Sequence, residues 1–271
     1  MLRSLNTAVS GLQEFQQDID IIGNNIANVN TTGYKDARAH FEDTFSQVLG
    51  PGVQIGTGVL TAAVSSNFTQ GTVNTTGIGT DLAVSGAGFF MARNTVENAQ
   101  FLTRAGDFHV DANGYLVTNG GLRVQGYSDS GLSSLGDVQI DASGAPATAA
   151  AGATLSSFSI DQVGKINVTL SDGTQYVRGQ VLLQNVRNPS ALVKEGENLY
   201  SAGSDAGLLA QPAPAQSNGL GKIQAGALEM SNVDLTSEMA GLITAQRAFQ
   251  ANARIITTSD EVLQEVVNLK R

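Results

Sequence analysis

The stretch LRSLNTAVSGLQEFQQDIDIIGNNIAN, residues 2–28, decides how the chain is read. Leu2, Leu5, Val9, Leu12, Ile19 and Ile26 fall on one alternating three-and-four spacing, interrupted only by Gln16 and Gly23. That spacing is the seam of an amphipathic helix. Phe15 and Ile22 widen the seam on one side, while Gln13, Glu14, Gln17, Asp18 and Asp20 take other positions. At ~1.5 Å per residue the helix is about 40 Å long. It is expected to end in Asn28-Val29-Asn30-Thr31-Thr32-Gly33, a run of turn formers whose Gly33 can take a positive φ.

The same spacing returns at the far end. After Asp234, placed as a helix cap or first-turn acid, come Leu235, Met239, Leu242, Gln246, Phe249, Ala253, Ile256, Asp260, Leu263 and Val267. This second helix is about 50 Å long. All five prolines lie between Pro51 and Pro214, so uninterrupted long helices are permitted only at the two ends. An apolar stripe of this length needs a partner. Two readings compete: an intramolecular helical hairpin, or seams that meet copies of themselves in other chains. Gln16 and Gln246 within the seams favour register control over raw stability.

Between the ends the chain is β-rich. Short apolar or alternating runs recur at 82–84, 88–91, 108–110, 115–117, 122–124, 166–170 and 180–183. Turn formers at 111–114, 119–121 and 171–173 separate them. The fold class expected is α+β, with discontinuous terminal helices and a central antiparallel β-rich domain. The Ala/Gly-rich stretch 141–153 and the run 210–215 are expected to be surface loops.

Composition narrows the function. Of 271 residues 41% are hydrophobic, and 15 basic against 24 acidic residues leave a net charge of −9 with no Lys/Arg cluster. Nucleic acid and anionic membrane are therefore not expected partners. With no Cys there is neither a disulfide nor a thiolate site. No apolar run reaches a membrane span, and the first residues lack the apolar core of a cleavable signal peptide, so no membrane insertion is expected. His40 and His109 have no metal-spaced companions, no phosphate loop is complete, and His109 and Gly120 stand where a calcium loop beginning there needs acidic ligands. No catalytic, metal or cofactor residue is assigned. The remaining enzyme reading is a secreted glycan-acting hydrolase using the pair Asp107 and Asp111.

At the two seams the sequence resembles the bacterial flagellar axial family of rod, hook and hook–filament junction proteins. The likeness rests on Ser10-Gly11-Leu12, Asn24-Asn25-Ile26-Ala27-Asn28 and Thr32-Gly33-Tyr34-Lys35 at the front. At the back it rests on Ser231-Asn232-Val233-Asp234-Leu235 and Ala245-Gln246-Arg247-Ala248-Phe249-Gln250. Gly79–Val84, Gly88-Phe89-Phe90, Thr103–Phe108 and Gly114–Val117 carry it through the middle. The resemblance implies a subunit without catalytic activity, exported uncleaved by the flagellar type III apparatus. It implies a homopolymer whose partners are neighbouring rod, hook-cap and hook–filament junction proteins. The expected organisation is an axial helix at 1–33, a connecting segment at 34–75, the β-rich domain at 76–226 and a second axial helix at 227–271. The expected subunit interface is Leu5, Val9, Leu12, Ile19, Ile26, Leu235, Met239, Leu242, Phe249, Ile256 and Leu263. Asn24, Asn25, Ala27, Asn28, Gly33, Gln246 and Arg247 match the family's motifs.

Within the family, Gln125-Gly126-Tyr127, Gln184–Pro189, Gly219–Glu229 and the short connection from Phe45 to Gly58 point to the hook protein. The chain's length, without an additional β domain near 142–153, points to the distal rod. The hook is the first expectation and the distal rod the alternative.

Overall fold

The computed structural model describes residues 2–44, 47–50, 53–146, 149–150 and 152–269. It has two terminal helices and a central antiparallel β-rich domain, so the fold is α+β. The chain forms two compact units: residues 1–29, 35–67 and 233–271 make the first, and residues 30–34 and 68–232 the second.

The first unit contains helix α1 (Leu2–Ala27), strands β1 (Ala37–Asp43), β2 (Gln47–Gly50), β3 (Val53–Ile55) and β4 (Val59–Ser66), and helix α2 (Leu235–Leu269). α1 and α2 run antiparallel in one register: a Cβ on Gly11 would lie 2.6 Å from Asn252, and one on Gly241 would lie 3.5 Å from Ile22. Ala8, Gly11, Ile22, Asn25 and Ala245 are buried along this contact. Small residues at that line let the two backbones approach closely, so the helices meet through Ala and Gly more than through their largest apolar side chains. β1 and β4 form an antiparallel ribbon with a bulge between His40 and Phe41, and β2 pairs with β3. The ribbon packs on α1: the Phe15 and Phe41 rings are 6.4 Å apart, the Thr61 hydroxyl donates to Glu14 and, at 3.0 Å, to Gln17, and the Val59 N–H reaches Ser10 Oγ at 3.4 Å.

The ends of the helices follow their capping residues. Asp234 accepts from the Thr236 N–H at 2.9 Å, satisfying a donor that the first turn of α2 leaves free, and from the Ser237 hydroxyl at 3.0 Å. These bonds hold its carboxyl below the usual aspartate range, the backbone bond from Thr236 contributing most. α1 stops where Asn28 Nδ2 donates to both the Asn24 carbonyl and Asn24 Oδ1 at 2.9 Å. Gly33 takes φ +68° as expected.

The second unit contains β5 (Val73–Thr75), β6 (Leu82–Ser85), β7 (Phe89–Arg93), β8 (Gln100–Thr103), β9 (His109–Val110), β10 (Leu116–Val117), β11 (Arg123–Tyr127), β12 (Leu135–Asp137), β13 (Leu155–Ile160), β14 (Lys165–Leu170), β15 (Gln175–Val186), β16 (Leu192–Gly196), β17 (Leu199–Ala202), β18 (Leu208–Pro214), β19 (Lys222–Ala225) and β20 (Ala227–Glu229). Its main sheet follows the order β13-β14-β15-β11-β7-β8-β17-β16, every pairing antiparallel. Strand alternation sorts side chains onto its two faces. From β7, Phe90 enters the larger core with Leu82, Val124, Val168, Leu183 and Ile223, while Phe89 and Met91 enter a smaller one with Leu102 and Tyr200.

One sequence expectation is corrected here. The run 210–215 lies almost wholly within β18, which among the described residues pairs with β15 alone. Pro212 and Pro214 lack amide donors, and a strand paired on one side only tolerates them. The stretch 142–153 carries no strand among its described residues, with 147, 148 and 151 outside them, yet Ala142, Ala149 and Ala153 pack on the larger core.

Candidate assembly surface

The expected interface residues divide by exposure. On α1, Leu5, Leu12, Ile19 and Ile26 are half-buried and Val9 is exposed; on α2, Leu242, Phe249, Ile256 and Leu263 are half-buried, while Leu235 and Met239 are exposed. The helix pair therefore satisfies only part of either stripe. Ile243, Ile255, Val262, Val266 and Val267 add to the exposed apolar surface of α2, with Ile243 60% and Val267 64% accessible. A helix with apolar side chains on more than one face has surface left for a further partner.

The motif residues do different work. Asn25 is buried, and its side-chain amide pairs with one backbone residue in both directions: Nδ2 donates to the Ala37 carbonyl at 2.9 Å and Oδ1 accepts the Ala37 N–H at 3.0 Å. It thereby ties the end of α1 to the start of β1 as a strand neighbour would. The same Nδ2 donates to Glu238 Oε2 on α2 at 3.3 Å, so one side chain joins three elements. Asn24 and Asn28 bond each other, and Gly33 is buried with its N–H on the Glu229 carbonyl at 2.7 Å. Ala27, Gln246 and Arg247 are exposed, and Arg247 reaches Gln250 Oε1 at 3.4 Å. Gln16, expected to control register, is exposed and bonds Asp20 on its own helix.

Periodicity did not single out Ala8, Gly11 and Ala245 as the inner line of the helix pair. Their signal in the sequence was smallness at i, i+3 spacing beside a seam of larger residues.

Charge is concentrated where Asn25 meets α2. Burial pushes the Glu238 carboxyl above its ordinary range against the Asn25 hydrogen bond, with Asp36 and Asp18 pushing the same way and Arg38 opposing; burial also raises Asp18 on α1. A folded-state pKa above the unfolded value means the helix pair carries the full penalty when both states are ionised. The penalty is relieved as pH falls through the raised value toward the ordinary one. Glu238→Gln keeps a hydrogen-bond acceptor and removes the charge. It is expected to raise the unfolding midpoint at neutral pH, with the gain vanishing toward about pH 4. Urea unfolding followed by helical circular dichroism across that range checks it; an equal gain at every pH would contradict the assignment.

The acidic pair considered for hydrolysis is arranged otherwise. Asp107 sits in a bridge opposite Asp81 and accepts from Asn119. Burial raises its pKa, and the acid that adds to the rise is Asp81. Asp111 lies in the turn that Asn113 and Gly114 close. Among the described residues no three His, Asp or Glu side chains gather as a metal site, and no helix is long and apolar enough to cross a membrane.

Two long terminal helices with exposed apolar side chains, one before and one after an antiparallel β domain in the sequence, define the class of chain. Comparison with known proteins gives the class its family. Residues 5–35 match the family described as flagella basal body rod protein, residues 83–168 the flagellar hook protein FlgE/F/G D1 domain, and residues 224–269 the flagellar basal body rod FlgEFG protein C-terminal region. The flagellar basal-body rod protein FlgG of Bacillus subtilis (strain 168) is 38% identical over all of both chains, and that of Borreliella burgdorferi 34%, also over all of both. The flagellar hook protein FlgE of Treponema pallidum is 26% identical over all of both chains in an alignment of 466 positions. The chain belongs to the flagellar axial protein family of rod and hook subunits, and its role is that of a structural component of the flagellum.

Proposed function

We propose that this chain is the distal-rod subunit of the flagellar basal body, with the hook, the first expectation from the sequence, as the second reading. Length carries the proposal. The rod proteins align over 283 and 285 positions with nothing left over on either side, whereas alignment with the hook protein needs 466 positions for a chain of 271. The hook relative thus holds a large insertion that this chain lacks. The connection from Phe45 to Gly58, read from the sequence as short and hook-like, contains the β2/β3 hairpin, although residues 45, 46, 51 and 52 lie outside the described set.

In this reading the exposed stripes of α1 and α2 meet other copies, and the subunit-interface residues are Leu5, Val9, Leu12, Ile19, Ile26, Leu235, Met239, Leu242, Phe249, Ile256 and Leu263. The proposed partners are further copies and adjoining rod and hook-side proteins, reached after passage through the flagellar export apparatus. The helices transmit torque along the axis and no enzymatic step is assigned. Covering the exposed half of an aliphatic side chain contributes about 1 kcal/mol, and association costs on the order of 4–15 kcal/mol. One helix–helix contact is therefore marginal, and contacts with several neighbours make the assembly stable. Electron microscopy of a strain lacking the chain tests the reading: loss of the straight drive shaft is expected. A normal shaft with the curved external segment missing would assign the chain to the hook.

A further inference from the structure

We propose that the buried Arg104–Glu229 pair is a pin holding together the three stretches of the β domain at which the chain enters and leaves the helical unit, making these two residues positioning elements for assembly. The chain leaves the second unit next to residues 30–34, 68–72 and 229–232. All three meet at Glu229. Its Oε1 accepts the Gly71 N–H at 3.0 Å, its Oε2 accepts Arg104 Nη1 at 3.2 Å, and its carbonyl accepts the Gly33 N–H at 2.7 Å. Arg104 is anchored in turn by Nη2 on the Gly86 carbonyl at 2.9 Å and by its guanidinium, 5.0 Å from the Phe89 ring centre. Beside the pin, the Met230 N–H bonds the Thr72 carbonyl at 2.8 Å and Asn198 Nδ2 bonds the Thr32 carbonyl at 2.8 Å.

Glu229 is fully enclosed and Arg104 is 5% accessible. A buried ion pair is a poor source of stability compared with apolar residues of the same volume, because desolvation offsets the attraction. What it supplies is geometry. An apolar pair offers no acceptor for the Gly71 amide, so segment 68–72 loses that tie to 229–232 and keeps the Met230–Thr72 and Asn232–Thr69 bonds beside it. The pin lies within the β domain, where it fixes the three stretches that join it to the helical unit before any second copy is met.

The test uses the full chain. In the double variant R104L/E229L, which removes both charges and the acceptor of the Gly71 amide, hydrogen exchange at Gly71 and, through the loosened junction, at Gly33 is expected to rise about tenfold or more, while the Leu183 amide in β15 keeps its protection and polymer growth by light scattering falls. Unchanged exchange at Gly71 and Gly33 overturns the proposal. So does an equal rise at Leu183, which would make the pair ordinary core support, and so does a local rise with normal polymer growth. Should that variant not fold, R104Q/E229L, which keeps a donor for the Gly86 carbonyl and still removes the acceptor of the Gly71 amide, is judged on the same three readouts. The proposal rests on reading the helices as the assembly element. Failure of the unaltered chain to polymerise would remove that reading, and the exchange pattern would still decide whether the pin exists.

Discussion

Asn25→Ala is expected to lower the stability of the helical unit by about 3 kcal/mol. The side chain is buried, and its amide serves both the N–H and the carbonyl of Ala37. Removing it strands two buried backbone groups, each worth about 1–3 kcal/mol when left without a partner. The small cavity adds to this, while Glu238 on α2 loses only one partner across a half-exposed contact. Asn25→Asp sharpens the point. It restores an acceptor for the Ala37 N–H, supplies no donor to the Ala37 carbonyl, and sets a second carboxylate beside Glu238. Its loss is expected to be comparable at neutral pH and smaller in acid. Urea midpoints read from helical circular dichroism check both variants. A change below about 1 kcal/mol for the alanine variant would mean that water replaces the amide and that the motif asparagine is not the tie described.

The helices were readable from residues 2–28 and 234–269 because proline is missing there and the apolar spacing persists over many turns. How the two stripes are shared was not readable. A period assigns side chains to a face, and packing then chooses which residues on that face touch. Here Ala8, Gly11 and Ala245 are buried, whereas Val9, Leu235 and Met239 remain exposed. The intramolecular pair exists, and it leaves apolar surface uncovered for the contacts between copies that are proposed above.

In the β domain, runs with bulky alternation such as 166–170 were legible. The serine-rich β13, mostly exposed, carries little hydrophobic signal, and the two prolines of β18 imitate a loop. The Arg104–Glu229 pair lies beyond sequence reasoning of this kind, since the partners are 125 residues apart and each belongs to a different motif. The distinction between rod and hook turned on small motifs in the sequence. Chain length carries more weight, because the rod relatives align over 283 and 285 positions and the hook relative over 466.

Met239→Asp is expected to abolish polymer growth while leaving the monomer folded. Met239 is 44% exposed on the second turn of α2, four residues from Leu235 and four from Ile243, which are also exposed. An acid in the first turns of a helix is favoured by the helix dipole, so the monomer has no local reason to unfold. In an assembled contact the same carboxylate would be placed against apolar side chains. Burying an unpaired charge there costs several kcal/mol, and each 1.4 kcal/mol weakens an association about tenfold. Because the contact recurs in every subunit of a polymer, a loss of this size raises the critical concentration beyond reach. Leu12→Asp is the companion test on α1, with some monomer destabilisation expected because Leu12 is half-buried. Light scattering and electron microscopy at rising concentration read the polymer, and circular dichroism reads the fold. Intact tubes from Met239→Asp would remove this stripe from the subunit interface. Unfolded monomer would show instead that the stripe is spent within the chain.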